Sequence, residues 1–68
     1  MDENWVIVYS STTPYQVEFF KALLEDHDIP AIVLNKQDSF YKVIGEVELY
    51  VKKDNFMKAK QIIDKQNP

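Results

Sequence analysis

Residues 45–52, GEVELYVK, alternate without a break. Val47, Leu49 and Val51 fall on one side of an extended chain, and Glu46, Glu48, Tyr50 and Lys52 on the other. A strand written this way belongs to a sheet covered on one face only, because a fully buried parallel sheet reads apolar throughout. The chain of 68 residues has room for one small domain, taken here as residues 1–68, whose fold must cover that single face economically.

The remaining elements follow from local pattern. WVIVYS, Trp5 to Ser10, is a run of β-branched and aromatic residues and predicts a strand. Thr13, Pro14 and Gln16 predict a helix start, with Thr13 as N-cap, proline at the first helical position, and a capping box closed by Gln16. Val17, Phe20 and Leu24 then share one helical face, with Leu23 at its edge. Pro30 pushes Ile29 towards extended geometry and ends this helix near His27 or Asp28. AIVLN, Ala31 to Asn35, predicts a second strand, and residues 36–44 read as a loop. After the GEVELYVK strand, Asp54 is placed as the cap of a second helix that buries Phe56, Ala59, Ile62 and Ile63, with the final KQNP frayed.

The order is β-α-β-β-α. A right-handed crossover makes the first two strands parallel, and a third strand inserted antiparallel between them leaves both helices on one face. The expectation is an α+β, two-layer, ferredoxin-like fold lacking its last strand, a three-stranded sheet with two helices on one side.

Those segments together look familiar. WVIVYSS, VEFFKALLEDHDIPA with its leucine pair and Ile29-Pro30-Ala31, GEVELYV, and DNFMKAKQIID with its central alanine resemble the putative prokaryotic signal-transducing protein family across nearly the whole chain. The resemblance implies a fold similar to that of the P-II-type signal proteins, here in truncated form. It implies no catalytic residue and no cofactor, since every matching piece is a packing pattern. In P-II-type proteins a long regulatory loop joins the second and third strands; the same position here holds the shorter NKQDSFYKVIG, residues 35–45.

Candidate chemistry is sparse. Glu46 and Glu48 share a strand face roughly 7 Å apart, a spacing open to acid–base work or a hard cation, but a solvated strand face accounts for them equally well. His27 is the sole histidine, without companions for a metal site, and beside the last carbonyls of a helix it has a structural use. Ser10 to Thr13 lead into a helix N-terminus that suits an anion, yet no glycine is present there and Pro14 removes a donor. Ser39 and Tyr41 offer hydroxyls for modification. There is no cysteine, so thiolate metal sites and disulfides are excluded, in keeping with a reducing cytoplasm. The opening MDENWVIVY has early acids, no basic n-region and too short an apolar run for a signal peptide or a membrane span. A net charge of -3 argues against binding a nucleic-acid backbone. At 46% hydrophobic and 13% aromatic the chain is too apolar for disorder.

Two apolar surpluses remain once the core is filled. WVIVY has no polar face: if Val6 and Val8 face the helices, Trp5, Ile7 and Tyr9 line the open side of the sheet next to Tyr50, and with the opposite parity Val6 and Val8 lie exposed there. Tyr15, Phe19 and Ala22 form a second stripe on the first helix, opposite its core face. The pair Phe40 and Tyr41 either folds over the core as a lid or meets a partner. Trp5, Ile7, Tyr9, Tyr15, Phe19, Phe40, Tyr41 and Tyr50 are therefore the candidate interaction surface. The reading that uses this surplus is a small non-enzymatic interaction or regulatory module, cytoplasmic, acting as a homodimer through the sheet edge or open face, with a further protein partner possible and with no nucleic acid, membrane, metal or cofactor. The alternative is a small-molecule or anion sensor with a site between subunits near residues 35–45. An enzyme working from Glu46 and Glu48 comes third, lacking a nucleophile and a cleft.

Overall fold

The computed structural model describes residues 3–36 and 46–66. Within them the order is β1 (Trp5–Ser11), α1 (Pro14–Asp26), β2 (Ala31–Asn35), β3 (Val47–Lys52), a 3-10 turn (Lys53–Asn55) and α2 (Phe56–Gln66). The sheet order is β1-β3-β2, with β3 antiparallel to both neighbours, so the split β-α-β arrangement is present. The fold is α+β and ferredoxin-like in its element order.

The alternation of β3 sets the layers. Val47, Leu49 and Val51 are buried under the helices, while Glu48, Tyr50 and Lys52 lie half-buried on the opposite face. Val17, Phe20 and Leu24 of α1 and Ala59 and Ile63 of α2 complete the core, joined by Val8, Ile29 and Ala31. Phe56 and Ile62 reach it only partly; of the two adjacent isoleucines, Ile63 is the one that is sealed.

The end of α1 explains why Ile29 belongs to that core. His27 is the C-cap and Asp28 adopts φ 61°, the left-handed geometry usually given to glycine. The Asp28 amide then donates to the Glu25 carbonyl (3.0 Å) and the Ile29 amide to the Leu24 carbonyl (2.9 Å). This is a Schellman turn, and its hydrophobic contact is made by Ile29 and Leu24, both sealed from solvent.

Four expectations change. Thr13 is the N-cap of α1 and Pro14 its first residue, but the capping box does not form, since Thr13 makes no side-chain cap bond. The Gln16 side chain turns instead onto β1, where its Oε1 accepts from the Ser11 hydroxyl (3.0 Å) and the Tyr9 hydroxyl (3.3 Å), and Ser11 Oγ accepts from the Thr13 amide (3.0 Å). Asp54 does not cap α2; it lies inside the 3-10 turn that joins β3 to that helix, with its charge near the positive end of the helical run. Helix α2 also continues through Lys65 and Gln66, the first half of the KQNP expected to fray. Finally, the Lys36 amide donates to the Glu46 carbonyl (3.1 Å), which carries the β2–β3 ladder one residue into the segment read as loop. The rest of that loop reading, Ser39, Phe40, Tyr41 and Gly45 included, lies outside the described residues.

Candidate functional site

The open face of the sheet is built by strand parity. On β3, Tyr50 lies across from Ile7 of β1 and Ile32 of β2, and Glu48 lies across from Ser10 and Leu34. Ile7 (44% exposed), Ile32 (38%) and Leu34 (38%) stand in solvent with Tyr50 between them. Among the described residues no helix covers this side. The two ends of the stripe are polar. At one end the Lys52 ammonium sits over the Trp5 ring, 5.0 Å from its centroid. At the other, Glu48 Oε1 accepts from the Tyr50 hydroxyl (2.8 Å) and pairs with Lys36 Nζ (3.2 Å). The bond to Glu48 raises the Tyr50 phenol above its ordinary value, with burial and the carboxylate's charge adding to the effect and Lys36 opposing it.

Of the two parities open to WVIVY, the structure takes the one that puts Trp5 and Ile7 on this face with Tyr50. Tyr9 is not with them. The β1–β3 register runs Ile7 to Tyr50 and then Tyr9 to Leu49, so Val8 is an extra residue in β1. That bulge reverses the parity beyond it and turns Tyr9 to the helix side, where its ring meets Phe20 edge-on at 4.7 Å. Ser10 takes the open-face position instead. Two residues of the face were missed, Ile32 and Leu34. The signal was present: AIVL, residues 31–34, is like WVIVY apolar on both parities.

Tyr15 (72% exposed) and Phe19 (54%) project from α1 as expected, and the Phe19 ring meets Phe20 at 5.4 Å. They line a hollow of about 250 Å³ with Tyr9, Gln16, Phe20 and Gln66. A second hollow of about 280 Å³ adjoins it through Gln66 and is lined by Leu23, His27, Lys58, Gln61, Ile62 and Lys65. His27 sits here with Nδ1 bonded to the Leu23 carbonyl (2.9 Å), the helix-end role read from the sequence. A third hollow of about 410 Å³ at the start of α2 is lined by Asn4, Lys52, Lys53, Asp54 and Asn55.

Other candidates are accounted for by the fold. Glu48 is engaged by Tyr50 and Lys36, and the hydroxyl of Ser11 by the start of α1. Among the described residues no three acidic or histidine side chains gather as metal ligands, and no helix is long and apolar enough to cross a membrane. In comparisons with known proteins, the sequence pattern of the putative prokaryotic signal transducing protein family matches residues 5–66. No curated protein and no solved structure matches the chain.

Proposed function

Since the chain belongs to the putative prokaryotic signal transducing protein family, we propose that it is a non-enzymatic interaction module that works as a homodimer, two copies stacked through their open sheet faces. The observation that carries this reading is the exposed row Ile7, Tyr50 and Ile32, extended by Leu34 and Trp5, on a sheet side with no helix among the described residues.

Stacking is favoured over pairing edge to edge. Both β1 and β2 are sheet edges, but the Val8 bulge interrupts β1, and β2 is five residues long and preceded by Pro30. Bulges, prolines and short lengths are devices that blunt an edge against further pairing. The face also complements itself. A two-fold axis midway between the two sheets, parallel to them and running across the strands, puts the Lys52 end of one copy over the Glu46 and Glu48 end of the other, with the apolar row on itself. The planar footprint is on the order of 300 Å², from strand spacing and rise, so the dimer is small and reversible.

Sedimentation over a hundredfold dilution series around micromolar concentration, with wild type beside Ile7→Lys and Ile32→Lys, tests the reading. Wild type is expected to move from dimer to monomer on dilution, and both variants to stay monomeric and folded. A wild type that is monomeric throughout removes the dimer.

A further inference from the structure

We infer that the seam between α1 and α2 is a docking groove for an amphipathic helix carrying carboxylates, presented by another protein. The inference rests on the interaction-module reading but not on the dimer.

The groove is written into α1 at intervals of four: Tyr15, Phe19, Leu23 and His27. Side chains four apart form a continuous ridge on a helix. Twelve residues of rise make this ridge about 18 Å long. Its opposite wall is α2, which runs antiparallel, because Gln66 borders the hollow of Phe19 while Lys58 borders that of His27. The two hollows share Gln66 and so form one trough. Leu23 and Ile62, both half-buried, supply an apolar floor at mid-length, and Tyr15 and Phe19 supply aromatic walls at one end. A helix of about twelve residues spans 18 Å and presents anchors at i, i+4 and i+7, which is how such grooves are filled.

Charge selects the occupant. Residues 52–68 hold five lysines against two aspartates, whereas residues 1–51 hold three lysines against nine acids. Lys60 is paired with Asp64, and Lys52 covers Trp5. Lys58 and Lys65 line the groove, and among the described residues neither makes an ion pair. Of the acids at the end of α1, Glu25 pairs with Lys21 and lines a separate hollow with Asp28, Ile29 and Pro30, and Asp26 neither lines the groove nor makes an ion pair among the described residues. A molecule of net charge -3 thus directs a cationic rim at this apolar trough.

The probe is a synthetic helical peptide of about 14 residues, with leucine and phenylalanine at i, i+4 and i+7 and glutamates in its first two turns, titrated into the full chain by amide NMR. The expected result is shifts at Phe19, Leu23, His27, Lys58 and Ile62. Affinity should weaken about tenfold or more in Phe19→Ala and in Lys58→Glu/Lys65→Glu. The same peptide with lysine for glutamate should prefer the charge-reversed variant. Equal affinity for the two peptides, shifts confined to Ile7 and Tyr50, or no binding by about 1 mM overturns the inference. Sedimentation of Lys58→Glu/Lys65→Glu keeps the two proposals apart. That variant should still dimerise; if it is monomeric where wild type is a dimer, a second copy fills the groove, and the docked partner and the sheet stack both fail.

Discussion

At Asp28 a single residue holds a strained position for the sake of two neighbours. Its left-handed φ costs an ordinary side chain energy, and its negative charge meets the negative end of α1, where Glu25 and Asp26 already stand. The turn persists because it seals Ile29 against Leu24. Asparagine tolerates the same geometry without the charge, so Asp28→Asn is expected to stabilise the fold by about 0.3–1 kcal/mol. Thermal melts should show it as a rise of a few degrees, and an unchanged or lower midpoint would mean that the aspartate has a compensating role. Tyr50 gives a pH prediction of definite sign. Its phenol is raised above the ordinary value by donating to Glu48, so the bond's contribution is complete below the unfolded tyrosine's pKa and is lost as pH rises through the folded one. Ring-carbon NMR through an alkaline titration should find Tyr50 ionising above the ordinary tyrosine value, and Glu48→Gln should bring its midpoint back down.

Among the elements, β3 decides the most. It is the central strand, and its alternation makes neighbouring residues opposite in cost. Leu49→Ala empties a sealed site and is expected to cost about 2–5 kcal/mol, whereas Glu48→Ala loses only the contacts to Tyr50 and Lys36 on the open face. Denaturant melts of the two variants should differ widely in midpoint; coincident curves would invert the parity of the strand. This element was legible in the sequence because every polar residue in GEVELYVK marks a face. β1 was legible only in part, for the opposite reason. WVIVY is apolar at each position, so a slip of one residue leaves no trace in the pattern, and the Val8 bulge that moves Tyr9 to the helix side could not be read. The helix starts were located by Pro14 and Asp54, but their hydrogen bonds were not, because a capping residue has competing partners. Gln16 found Ser11 and Tyr9, five and seven residues back, contacts that exist only once β1 lies beside α1. The core face of α1 followed from periodicity alone, and so did the exposure of Tyr15 and Phe19, but the groove they enter needed the antiparallel placement of α2.

For the whole molecule, the apolar surface that the core cannot absorb has a thermodynamic consequence. A 68-residue domain buries a modest share of its surface and its stability is correspondingly small. The structure covers one face of its sheet and leaves Ile7, Ile32 and Leu34 in solvent on the other. If a second copy covers that face, folding and association are linked, and stability depends on concentration. For a dimer that unfolds to two chains, a hundredfold increase in concentration adds about 2.7 kcal/mol per dimer, or roughly 1.4 per protomer. In a domain of this size that is a rise in melting temperature of roughly 5–10 °C. Wild type is expected to show this rise over the range in which it sediments as a dimer. Ile7→Lys should melt at one temperature at every concentration, that of the isolated protomer, because the lysine places a charge in the middle of the apolar row while leaving the buried side of β1 unchanged. A wild-type midpoint that is independent of concentration, with sedimentation showing a dimer at both limits, would mean that the chains stay associated when unfolded, so that the folded apolar row is not what holds them together.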